Sequence, residues 1–148
     1  MKSFKQHIFE KLKVSKQKYT LFPKTKDELK EMIEAEISEN GNECSLNHIN
    51  VSKITDMSNL FRYSEFNGDI SEWDVSSVSN MDEMFDSSEF NGDISNWDVS
   101  HVTNMYCMFY GSKFNGDISN WDVSSVKDMG YMFGNSPLIN NPPKWYKK

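Results

Sequence analysis

One unit of 24 residues is written again and again along this chain, and that period restricts the fold more than any other feature. FNGDISNWDVS runs from Phe90 to Ser100 and returns unchanged from Phe114 to Ser124; the copy from Phe66, FNGDISEWDVS, differs only at Glu72. All four tryptophans, Trp73, Trp97, Trp121 and Trp145, keep the same step. So do Met81, Met105 and Met129, and Phe85, Phe109 and Phe133. Upstream, Ile49 takes the tryptophan place and Leu46 the place of Ile70, Ile94 and Ile118. Residues 42–65 are thus a degenerate first unit, 66–89, 90–113 and 114–137 are three strong ones, and the remainder is a truncated last one. An active site, made of chemically different groups, is not built by repetition; a stack of like units is.

Within one unit, Ile94, Trp97 and Val99 have the L-x-x-L-x-L spacing whose last two members point inward from a short strand of period two. Val102, Met105 and Met108/Phe109 then recur at three to four, which predicts a short helix. Ser76, Ser100 and Ser124 stand where they would cap it. Asn-Gly in the Phe-Asn-Gly-Asp segment predicts a turn, because glycine tolerates positive φ. No such unit buries both of its faces alone, so neighbours must stack at the ~4.8 Å strand spacing. The expected fold class is α/β: a leucine-rich-repeat-like solenoid with one short parallel strand and one short helix per 24-residue repeat. A buried aromatic side chain removes roughly 150–250 Å² from water, on the order of 4–6 kcal/mol at about 25 cal/mol per Å². Trp97→Ala is therefore expected to unfold the array.

The motif F-N-G-D-I-S-x-W-D-V-S-x-V-x-x-M-x-x-M-F resembles the repeat of the BspA-like leucine-rich proteins and of the mycoplasma surface lipoproteins that share it, over residues 42–145. The resemblance implies a right-handed solenoid with an adhesion or interaction role and no catalysis. Many such proteins are secreted or lipid-anchored. This chain shows neither a secretory signal nor an N-terminal lipidation cysteine, so the expected location is cytoplasmic or within an assembly. No apolar stretch approaches the roughly 18–20 residues of a membrane span.

The ends differ from the repeats. Residues 1–24 hold seven lysines against Glu10, a net of +6; with −6 for the whole chain, the other 124 residues carry −12. Residues 1–20 read as a basic leader in which Phe4, Ile8, Phe9 and Leu12 share one face of a helix. Four readings compete for it: a solvated tail, a helix that docks on a partner protein, a membrane-surface helix through residues 1–18, and nucleic-acid binding. The last is least favoured, since lysine without arginine or stacking aromatics gives only a non-specific phosphate attraction. Residues 21–41 read as a capping helix, with Leu29, Met32, Ile33 and Ile37 on one face, Thr25 as N-cap, Glu28 completing a capping box, and Gly41 as the stop. Residues 42–148 are the repeats with a truncated cap.

Chemistry-bearing constellations are lacking. Cys44 and Cys107 are too few and too far apart for a disulfide framework or a zinc site, and His7, His48 and His101 fall in unrelated contexts. No metal, no cofactor and no enzyme activity is expected. Two columns of aspartate, Asp74/Asp98/Asp122 and Asp69/Asp93/Asp117, suggest either a cation ladder or capping of nearby backbone N–H groups; capping is the favoured reading. The repeats disagree at Asp82/Tyr106/Gly130, Glu83/Cys107/Tyr131 and Asp86/Tyr110/Gly134, on the expected helix side. Exposed tyrosines make good interface anchors, so Tyr106, Tyr110 and Tyr131 are candidate partner-binding residues. Asn96, Asp98, Asn120 and Asp122, on the expected sheet face, are the alternative surface. The function expected is a non-enzymatic protein–protein interaction or adhesion module. The alternative is a structural component of a larger assembly, such as a phage virion, anchored by the basic leader.

Overall fold

A computed structural model describes Ser3, Lys5 and residues 18–147. Helix α1 spans Lys26–Asn40. Thr25 Oγ1 accepts from the Glu28 N–H at 3.2 Å, and the Glu28 carboxylate accepts from the Lys24 N–H at 2.8 Å. Asp27 and Glu28 lie in the first turn, where the helix dipole favours negative charge. Gly41, at φ +88°, ends the helix and returns its N–H to the Ile37 carbonyl. Leu29 and Ile33 are buried, and Met32 and Ile37 pack at the edge of the same core. Before the helix, Leu21 pairs in parallel with Ile49, so both Leu21 and α1 lie against the first repeat.

Beyond α1 the expected α/β architecture is not found. Among residues 18–147 there is no strand and no second α-helix; the only other helical piece there is a 3-10 turn, Pro137–Ile139. The strand and the helix expected in every repeat are both replaced by turns, and the hydrogen bonds say why.

In the segment expected to be helical, alternate N–H groups go to different places. Those of Met81, Glu83, Phe85 and Ser87 donate to the carbonyls of Asn104, Tyr106, Met108 and Tyr110 in the next repeat, at 2.7–2.9 Å. Those of Met84, Asp86 and Ser88 donate back three residues, to Met81, Glu83 and Phe85, at 3.2 Å. To alternate in this way the backbone turns left-handed at every fourth residue: φ is +53° at Glu83 and +55° at Ser87. The same places in the other units are Asn59 and Tyr63, Cys107 and Gly111, and Tyr131 and Asn135, all with positive φ. The curled ribbon buries Met81, Met84 and Phe85. A spacing of three and four arises here without a helix.

The expected strand is broken by its own side chains. Trp97 and Val102 donate back three residues to Ile94 and Val99, closing two tight turns. Between them Asp93 Oδ1 accepts from Ser95 N and Oγ, and Asp98 Oδ1 from Ser100 N and Oγ, at 2.6–3.0 Å. Such local bonds compete with a ladder, and parallel pairing between repeats shrinks to single bridges, Ser45 with Asp69 and the series linking Asp56, Asn80, Asn104 and Asp128. Ser76 and Ser100 accordingly cap no helix: each hydroxyl donates to the aspartate two residues before it. Ser124 belongs to the same arrangement through its N–H, which Asp122 accepts.

Stacking survives these corrections. Phe61, Phe85, Phe109 and Phe133 lie face to face at 5.6–5.9 Å, and Phe66, Phe90 and Phe114 at 6.2–6.3 Å. Trp73 lies over Trp97, and Trp121 over Trp145, both at 6.4 Å. Each indole N–H is spent inside the stack: Trp73 donates to Leu46 O, Trp97 to Ile70 O, Trp121 to Ile94 O and Trp145 to Ile118 O, at 2.8–3.1 Å. Tryptophan at this place is thus both core filler and a bond between successive units. The glycine of Phe-Asn-Gly-Asp is needed for space and not for positive φ. A Cβ on Gly92 would stand 2.7 Å from the Phe90 ring and 3.1 Å from the Gly68 carbonyl oxygen.

Candidate partner-binding surface

Because Met81, Met84 and Phe85 point inward, the residues between them face out, and stacking aligns their equivalents into one strip across the repeats. The strip begins beside α1, where Lys26 Nζ lies 3.0 Å from Ser58 Oγ and 3.6 Å from Asp56. Arg62 follows, reaching into the second unit: Nη1 stands 2.6 Å from Glu83 Oε2 and Nε 3.0 Å from Asp86 Oδ2. The same guanidinium lies over the Tyr63 ring, 4.8 Å from its centroid. Glu83 Oε2 is buried and is held by this ion pair without a well-aligned hydrogen bond. Asp82 Oδ1 is also buried and has no hydrogen-bond partner. Burial raises the Asp82 pKa above the usual carboxylate range, helped by Glu83 and Asp128.

The third and fourth units carry tyrosine where the second carries acid. Tyr106 meets Tyr131 edge-on, with ring centroids 6.1 Å apart. Gly130 and Gly134 make room for the rings: a Cβ there would lie 3.3 Å from Tyr106 and 2.7 Å from Tyr110. Tyr110 Oη accepts from Asn135 Nδ2 at 3.0 Å. Tyr131 is 68% exposed, whereas Tyr106 and Tyr110 are half-buried, and none of the three stands on a helix as expected. Acid and tyrosine join directly, since the Glu83 N–H bonds the Tyr106 carbonyl. Five places on the strip (Tyr63, Glu83, Ser87, Cys107 and Tyr131) hold left-handed backbone without glycine or asparagine, at an expense of about 1 kcal/mol or more each.

The alternative surface is chemically quieter. Asn96, Asp98, Asn120 and Asp122 are all exposed. The Asp98 and Asp122 carboxylates accept from Ser100 and Ser124, and the hydrogen bonds hold both below the usual carboxylate range. Asp93 and Asp117 are lowered in the same way by Ser95 and Ser119. These carboxylates cap their own turns, and no group of three or more His, Cys, Asp or Glu side chains able to hold a metal occurs among the described residues. Phe4, Ile8, Phe9 and Leu12 lie outside the described residues. A groove of about 740 Å³ at the C-terminal end runs between the turn at Gly116 and Asp117 and the Pro142-Pro143 segment, away from the strip. Arg62 and Tyr63 escaped sequence reasoning because they sit in the degenerate first unit; counting back 24 from Asp86 and Ser87 would have found them.

The strip and the stack beneath it fall within one sequence family. The family described as "Mycoplasma protein of unknown function, DUF285" matches residues 27–145, from the first turn of α1 to the last tryptophan of the stack. The chain belongs to that family. The DUF285 match takes in the strip from Arg62 to Tyr131, yet assigns it no activity. No curated protein and no solved structure matches this member. Among the described residues no helix is long and apolar enough to cross a membrane.

Proposed function

We propose that the protein is a non-enzymatic interaction module whose partner binds the strip formed by Arg62, Tyr63, Asp82, Glu83, Asp86, Tyr106, Tyr110 and Tyr131. One observation carries this reading: the three neighbouring places where the repeats exchange acid, tyrosine, cysteine and glycine, Asp82/Tyr106/Gly130, Glu83/Cys107/Tyr131 and Asp86/Tyr110/Gly134, line up on a single face, while the buried core is shared between the repeats. A surface that served only to solvate the stack would have no reason to gather tyrosine there. Half-buried and exposed tyrosines beside paired charges have the composition of an interface centre. The adhesion role implied by the BspA-like resemblance is retained in this proposal; its strand-and-helix geometry is not.

Photo-crosslinking tests the proposal. A photoreactive residue placed at Tyr131 should give partner adducts by mass spectrometry, and the same residue at Asn120 should not. Adducts concentrated at Asn96 and Asn120 would move the binding surface to the aspartate-column face.

A further inference from the structure

We propose that the partner presents a lysine- or arginine-bearing segment, whose cationic side chains seat between the Asp82, Glu83 and Asp86 carboxylates and the rings of Tyr106 and Tyr131. The inference rests on the strip being the binding surface and names the chemistry of its occupant.

The chain supplies its own example of the contact. Arg62 lies with its guanidinium on two carboxylates and on the face of Tyr63 at once. That is the pairing of charge-assisted bonds with a cation–π contact for which arginine is suited. Beside these two carboxylates stands a third, Asp82, which no salt bridge engages, and the tyrosine pair lies in the next two units. Three carboxylates there face one guanidinium, so the strip stays net negative after its internal pairing.

Charge alone does not pick out this face, since the aspartate columns are acidic too. Their carboxylates, however, are already bonded to serine N–H and hydroxyl groups, and no aromatic ring pair accompanies them. On the strip, tyrosine rings and carboxylates in excess of the Arg62 charge occur together, so an incoming cation gains ring and charge contacts at once.

Fluorescence anisotropy of labelled eight-residue peptides against the full chain tests the proposal. One peptide alternates lysine or arginine with glycine; the other carries glutamate at those places. The cationic peptide should bind and the anionic one should not. Raising salt should weaken the binding. Tyr131→Ser and Asp82→Asn should each weaken it about threefold or more, while Asp98→Asn and Asp122→Asn, folded by the same thermal melt, should leave it unchanged. Equal binding of both peptides, or equal loss in the column variants, overturns the proposal. A homodimer that dissociates on Tyr131→Ser would seat a second copy on the strip and overturn it as well. If crosslinks at Tyr131 persist while the cationic peptide fails to bind, the binding surface stands and the cationic occupant falls.

Discussion

Asp82 and Asp98 are both aspartates of the same stack, and their surroundings give them opposite effects. Asp98 accepts two hydrogen bonds from Ser100, which favour its charged form; Asp82 is partly buried among like charges, which disfavour it. A carboxylate with a lowered folded pKa contributes stability above its unfolded pKa of about 3.9 and loses it as pH falls through the folded value. Asp56, Asp69, Asp93, Asp98, Asp117 and Asp122 are of this kind. Asp82 has the reverse sign: its contribution is full below about pH 3.9 and is lost as pH rises through its raised value. Six outweigh one, so thermal melts from pH 7 to pH 2.5 should show the melting temperature falling below about pH 4. Asp82→Asn should raise the melting temperature at pH 7, and Asp98→Asn should lower it. At the same scale, Trp97→Phe keeps a ring in the column but leaves the Ile70 carbonyl without its donor. A loss of about 1–3 kcal/mol in denaturant melts is expected.

Among the elements, α1 was legible because nothing competes with its signals. Thr25, Glu28 and Gly41 mark its ends in letters, and Leu29 and Ile33 mark its buried face. Thr25→Ala should cost about 1 kcal/mol. The repeat was legible in period and core but not in backbone. Met81, Met84 and Phe85 would be buried at the same spacing by a helix or by a ribbon curled at every fourth residue. The residues that distinguish the two are Glu83, Cys107 and Tyr131, which adopt positive φ although their side chains give no hint of it. The strip was half legible for a related reason: variation between strong repeats exposed Tyr106, Tyr110 and Tyr131, whereas Arg62 lay in a unit too degenerate to compare by eye. Cys107→Asn separates the two backbones by sign. Asparagine, which already holds this place as Asn59, tolerates left-handed backbone and should stabilise the ribbon by up to about 1 kcal/mol. In a helix the same change would be neutral or worse.

For the whole molecule, neighbouring units are joined by hydrogen bonds spaced near one period, and these bonds carry the register between units. Length should therefore change in whole steps. Inserting a second copy of residues 90–113 after residue 113 should give a protein that melts cooperatively at or above the original temperature. An insertion one residue shorter should break the register of every unit beyond it and broaden or abolish the transition in circular dichroism. The tryptophans give this architecture a further property. Trp73 and Trp97 lie 6.4 Å apart with planes only 6° from parallel, and Trp121 and Trp145 repeat the arrangement. Chromophores held so close and so nearly parallel do not absorb light independently: an excitation is shared between neighbouring indoles, so the tryptophan part of the near-ultraviolet spectrum belongs to stacked units and to no single indole.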